Sequence, residues 1–217
     1  MTPLNKLMLF FLLGLFIAAQ KIAVAAPLPA VEKVIQQGFP SKADALLNTS
    51  NQLFDEYHSE KNITSLIFYS YAMLRLANHF EAVNDYVNAS EYAKLGFFYL
   101  DEAVDSHEEN LRVRYLRARI DAYLPAGLGR CVVTLNDTDI LLKQSDKFDA
   151  DILAQINYMR YRALSSCKEN ARADALLKQM KNGSATQLRL LALEADSTPA
   201  WDLNEVSQIL MPLVKGE

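Results

Sequence analysis

The chain has 217 residues, 51% of them hydrophobic, and a formal net charge of −4. This length fits one domain or one short array of repeats, with enough apolar residues for a substantial core. With no basic cluster and no aromatic-plus-basic track, the sequence argues against a nucleic-acid partner; its seven Gly and seven Pro fall at points of punctuation, which argues against low complexity.

Residues 1–25 read as a secretory signal peptide. Lys6 and the α-amino group make a short positive region, Leu7–Ala19 a 13-residue apolar run, and Ala23-Val24-Ala25 a small-x-small cleavage site. The apolar run is short for a membrane span, and no later segment reaches about 18 apolar residues. Retention of the leader as an anchor is the rival outcome. The expected location is the periplasm or the cell exterior, with no membrane insertion after cleavage.

Residues 26–40 form a lead-in. Ala30–Gln37 has the length of one or two helical turns and stops at Gly38-Phe39-Pro40. A helical domain is expected over 41–217. Ser41 opens a long helix to about Glu60, with Asp44 in its first turn. A second helix covers about Thr64–Phe80 and a third about Tyr86–Ser106. Gly96 lies inside the third, where glycine costs about 1 kcal/mol relative to alanine and marks a close backbone approach.

The stretch Leu111–Lys143 reads as two helices, about Asn110–Leu124 and Gly129–Gln144, joined by a Pro-Ala-Gly-Leu-Gly corner. On a helix at 100° per residue, Leu111, Tyr115, Ala118 and Ala122 fall on one side. Val113, Leu116, Ile120, Tyr123 and Leu124 fall on the other. A helix apolar on two opposite sides must have neighbours on both, which makes this an inner helix of a stack. The charges fill two narrow strips: Arg114, Arg117 and Asp121 on one, Arg112 and Arg119 on the other. The plain reading is solvated charge, with Arg117 and Asp121 paired at i,i+4. The sharper reading is that Arg112 and Arg119 face a groove and hold a partner's carboxylate, because Arg119 has no acid at i±3 or i±4.

Further helices are expected from Asp149 or Asp151 to Ser166, over Asn170–Lys181 with a stop at Asn182-Gly183, and from Ser184 to about Ala195. After Asp196-Ser197-Thr198-Pro199 breaks the chain, a weaker helix follows over Asp202–Val214, around Pro212. Nothing alternates with period two, so no sheet is expected.

Cys131 and Cys167 are the only cysteines. An even count in an exported chain suggests a disulfide. Position 149, midway between them, falls at the expected turn, so an antiparallel hairpin brings the two sulfurs level. The three histidines form no metal-ligand spacing, and there is no phosphate loop or nucleophile elbow. No metal, cofactor or enzymatic activity is therefore expected. The acidic run Asp101, Glu102, Asp105, Glu108 and Glu109 reads as a solvated helix end; paired carboxylates for sugar hydrolysis would be the enzymatic alternative. Tyrosines crowd the middle helices. Most are inter-helix packing, but Tyr115 and Tyr158, beside Arg112, Arg119 and Arg160, have the composition of a binding hot spot.

Leu153 and Gln187, both early in their helices, stand 34 residues apart, the period of a tetratricopeptide repeat. Asp151–Gly183 is the segment most like such a repeat, with Ala163, Ala171 and Ala175 where helices approach. The chain thus resembles the tetratricopeptide-repeat-like helical superfamily in divergent form; the full signature of Trp, Leu-Gly, Tyr, Ala, Phe and Pro at fixed offsets is not present. Val113-Arg114-Tyr115-Leu116-Arg117-Ala118, with Leu124-Pro125, Gly129-Arg130 and Asp137, is also similar to a segment of bacterial repeat proteins. The resemblance implies an all-α solenoid of stacked antiparallel hairpins, exported from a bacterium and used for binding. The expected function is recognition of a cell-envelope protein or peptide through an inner-helix groove, with Arg112, Tyr115, Arg119, Tyr158 and Arg160 as contact residues. The alternative is a small-ligand-binding accessory protein of a solute transport system, which needs an enclosed pocket.

Overall fold

The structure, a computed structural model, describes residues 28–194 and 198–217. The signal sequence expected over residues 1–25 lies outside them. The described chain is helical, with no strand among the described residues. No helix among them is long and apolar enough to cross a membrane.

α1 (Ala30–Gln37) is a short amphipathic helix that buries Val31 and Val34 and ends at Gly38, whose φ of 76° places it in the left-handed region. α2 (Ala43–Glu60) ends on Lys61, also left-handed, whose N–H closes on the Tyr57 carbonyl. Asn62 caps α3 (Ile63–Ala82) by accepting from the Thr64 N–H at 3.0 Å. Asp85 caps α4 (Tyr86–Asp105) and Asn110 caps α5 (Leu111–Asp121). Each of these side chains satisfies an N–H that the first helical turn leaves without a partner. A 3₁₀ turn, Ala126–Leu128, and Gly129 form the corner before α6 (Cys131–Lys143). Asp149 caps α7 (Ala150–Ser166), and α8 (Asn170–Lys181) follows. A capping box of Ser184 and Gln187 opens α9 (Ala185–Leu191), which ends earlier than its apolar pattern suggests.

The last segment is built differently. Asp202 and Glu205 form a second capping box on α10 (Leu203–Glu205), which leads into a π-helical turn over Val206–Leu210 and then α11 (Met211–Val214). The cause is Pro212. Proline has no N–H for the carbonyl four residues back, and its ring crowds that carbonyl. The helix widens, and the Met211 N–H reaches back five residues to the Val206 carbonyl instead. The Gln208 carbonyl is thereby freed for another donor.

Chain neighbours pack as pairs from α2 to α8, and α3, α5 and α7 also touch one another. These three form an inner layer. The C-terminal segment crosses it, with α10 against α7, the π turn against α5 and α11 against α3. The main core runs through the whole stack; Leu46, Phe68, Met73, Tyr115, Leu116, Ile156 and Leu210 are at most 2% exposed. The two apolar faces of Leu111–Leu124 are confirmed, since every residue from Val113 to Ala122 is buried.

Gly96 lies where α4 meets α3. A Cβ there would stand 2.8 Å from the Leu74 Cγ and 3.0 Å from the Ser70 carbonyl oxygen. Gly96→Ala should therefore destabilise the fold by about 1–2 kcal/mol, because overpacking costs up to about 3 kcal/mol and the gain in helix propensity returns about 1. Urea denaturation measures this. An unchanged midpoint would mean that Leu74 moves aside freely.

Candidate functional site

Two clusters of buried charge grow from α5, one on each strip. The first holds three arginines and three aspartates. Arg114 Nη1 donates to Asp137 Oδ1 at 2.7 Å. Arg117 takes both oxygens of the same carboxylate, Nε to Oδ2 at 2.8 Å and Nη2 to Oδ1 at 2.9 Å. Its remaining nitrogen reaches Asp101 at 3.2 Å. Arg130, at the corner after α5, grips Asp101 with two bonds of 2.7 and 2.9 Å and donates to Asp121 at 3.0 Å. Its guanidinium also lies 4.8 Å from the centre of the Phe97 ring. Three positive and three negative groups thus pin α4, α5, the corner and α6 together.

These contacts correct the expectation of a wet strip. Arg114, Arg117 and Asp121 are buried, and Arg117 and Asp121 do not form the expected i,i+4 pair. Arg117 goes to Asp137 and Asp101, and Asp121 goes to Arg130. The acidic run also divides, since Asp101 belongs to this network rather than to a solvated end. Burial pushes the Asp121 carboxyl up to about 7, against the pull of Arg130. Burial pushes Asp101 up as well, but hydrogen bonds and charge from Arg130, and then Arg117, outweigh it and hold the carboxyl below its usual range.

The second cluster lies on the inner face, where the C-terminal segment crosses. Arg119 Nε donates to Glu205 Oε1 at 2.9 Å, and its Nη2 donates to the Pro199 carbonyl at 2.9 Å. The Tyr115 hydroxyl donates to the same Glu205 oxygen at 2.8 Å. Glu205 is fully buried. The Arg119 guanidinium sits between two rings, 4.4 Å from the centre of Tyr123 and 4.8 Å from that of Trp201. Trp201 in turn stacks on Phe68 of α3 at 5.9 Å. Burial and the Glu205 charge raise the Tyr115 hydroxyl well above its ordinary pKa, so it stays protonated and donates.

Arg112 completes the row. Its Nε donates at 2.8 Å to the Gln208 carbonyl, the group that Pro212 deprived of its helical partner. Further side chains hold the same segment. Asn62 donates to the Val214 carbonyl at 3.2 Å, Gln155 to Asp202 at 2.7 Å, and Asn204 to Asp151 at 2.8 Å.

The structure therefore brings Arg112, Tyr115 and Arg119 together on one face, holding peptide groups of the same chain. Arg160 and Tyr158 lie elsewhere. Arg160 pairs with Asp139 of α6 at 2.5 Å, and Tyr158 packs with Ala154, Met180 and Leu190 beneath α8 and α9. The residues that sequence reasoning missed are Trp201, Asp202 and Glu205. One signal for them was present, because Asp202-x-x-Glu205 is a capping-box pattern and Arg119 lacked an acid on its own helix.

Two concavities flank the inner face. One, of about 800 Å³, is lined by Tyr123, Tyr158, Tyr161, Arg162 and Lys181. The other, of about 790 Å³, follows the edge of the C-terminal segment and is lined by Arg112, Gln144, Lys147, Phe148 and Pro212. Among the described residues no group of three His, Cys, Asp or Glu side chains is placed to hold a metal. Cys131 and Cys167 are disulfide-bonded, with Cα atoms 5.6 Å apart, at the open end of the α6–α7 hairpin. No protein family, curated protein or solved structure matches the chain.

Proposed function

We propose that this chain is an exported scaffold of tetratricopeptide-like hairpins that binds a protein or peptide of the cell envelope through its inner helices. One observation carries the reading. The inner face is built to hold a helical peptide, because it already holds residues 198–214 of its own chain. Arg119 and Tyr115 take a carboxylate, Arg112 takes a backbone carbonyl, and Phe68 takes an indole ring. Cationic and aromatic side chains presented by rigid helices are the chemistry of peptide recognition grooves. The disulfide supports an oxidising location outside the cytoplasm.

Trp201 is the only tryptophan, which supplies the test. The full chain carrying Trp201→Ala and Glu205→Gln has no indole and a weakened hold on its own C-terminus. A synthetic peptide of residues 198–217 then brings the sole tryptophan. Its emission should shift to the blue and saturate at about 10–100 µM, a range suited to a single short helix. Should the double variant not fold, Trp201→Ala alone replaces it. A folded variant that gives no saturable shift up to about 1 mM peptide, the effective concentration of a tethered segment, would end this reading.

A further inference from the structure

We infer that residues 198–214 are a displaceable internal ligand, and that the partner they stand in for is an acidic amphipathic helix with an aromatic residue at its start. This rests on the peptide-binding reading above and adds the partner's chemistry and the competition for the groove.

The pattern is read from what the inner face takes from the segment. Trp201 fills the space between Phe68 and Arg119. Asp202 caps the helix, and Glu205 supplies the carboxylate that Arg119 and Tyr115 share. Ile209, Leu210 and Leu213 are buried. The matching partner sequence is Trp-Asp-x-x-Glu-x-x-x-Ile-Leu-x-x-Leu, with another ring allowed for Trp and other aliphatics for Ile and Leu.

The segment itself fills this seat imperfectly, and Pro212 is the reason. It forces the π turn over Val206–Leu210 and leaves Arg112 on a neutral carbonyl. A partner without proline at that place keeps a regular helix. Its carbonyl is then satisfied within the helix, and Arg112 is left for an acidic side chain. A hydrogen bond between charged groups is roughly twice as strong as one between neutral groups. Arg112 and Lys147 both line the cleft along this edge, so the surroundings are cationic where the second acid would sit. A partner with acids at the positions of both Glu205 and Gln208 therefore has an advantage over the tethered segment. It needs one, because a tethered segment competes at an effective concentration of about 1 mM. A partner present at about 10 µM must bind roughly 100-fold more tightly than the segment's own sequence to displace it.

The wild-type full chain is the test, with Trp201 emission reporting whether its own segment is seated. The probe is a synthetic peptide of residues 198–217 carrying Trp201→Phe, Gln208→Glu and Pro212→Ala. It should shift Trp201 emission to the red, with a midpoint near tens of micromolar. The peptide with only Trp201→Phe should need about 100-fold more. A probe that also carries Glu205→Arg should do nothing, and Arg112→Gln in the protein should remove most of the advantage of Gln208→Glu.

Equal midpoints for the two peptides would overturn the inference, as would binding of the probe with no change in Trp201 emission. A red shift that instead follows protein concentration, with dimers in light scattering, would assign the seat to a second copy and also overturn it. Binding of the 198–217 peptide to the Trp-free chain is scored separately. If that binding occurs and displacement does not, the groove reading stands and the internal-ligand inference falls.

Discussion

Asp137→Ala should lower the stability of the chain by about 3–5 kcal/mol, the cost of breaking a buried ion pair by removing one partner. Asp137 is fully buried on α6 and alone accepts from two guanidiniums, those of Arg114 and Arg117. The side chains of both arginines are about nine-tenths buried, so water cannot replace the missing carboxylate. Arg117 keeps only its 3.2 Å contact with Asp101, and Arg114 keeps the Glu108 carbonyl at 3.1 Å. Asp137→Asn retains an acceptor of the same shape but removes the charge, and should destabilise by less. Urea denaturation of the two variants beside wild type measures the difference. A loss below about 1 kcal/mol for Asp137→Ala would show that the network is far less constrained than its geometry implies.

Removing the Cys131–Cys167 bond should have an effect of similar size by a different route. The two residues are 36 positions apart, and closing a loop of that length lowers the entropy of the unfolded chain by about 4 kcal/mol at 25 °C on the chain-entropy model. For a chain of this size that corresponds to a fall in melting temperature of about 10 °C. The bond joins the first residue of α6 to the end of α7, the end of that hairpin opposite its turn. Leu135, Ala163, Leu164 and Ala173 form a small separate core beside it, so this corner has few other long-range ties. Thermal unfolding followed by circular dichroism, with and without reductant and in Cys131→Ser/Cys167→Ser, gives the value. A fall of less than about 2 °C in both would mean that the hairpin closes fully without its covalent tie.

The fate of the arginines shows where a sequence stops being informative. Helical periodicity shows α5 to be apolar on two opposite faces, and it is packed on both. The strips between two packed faces are then enclosed as well, so Arg114, Arg117 and Arg119 had to be buried and had to find acids. Which acids they find is a different kind of fact. Asp137 is 20 residues from Arg117, and Glu205 is 86 residues from Arg119. A pattern with a period of 3.6 residues carries no record of pairs that far apart. The segment around Val113–Ala118, Gly129-Arg130 and Asp137, which resembles bacterial repeat proteins, turns out to supply four of the six charges in the first network. It holds helices together.

Local chemistry explains what could be read from sequence alone. The all-helical class, the Asn, Asp and Ser caps, the close approach at Gly96 and the pairing of Cys131 with Cys167 all follow from short-range spacing, turn chemistry and one antiparallel hairpin. Tertiary structure alone decided that the C-terminal segment turns back across α7, α5 and α3. It also decided that Glu205 goes to Arg119 and Tyr115, and that the Gln208 carbonyl freed by Pro212 goes to Arg112. Those choices depend on the surface that the assembled inner helices present, and that surface exists only once the hairpins have stacked.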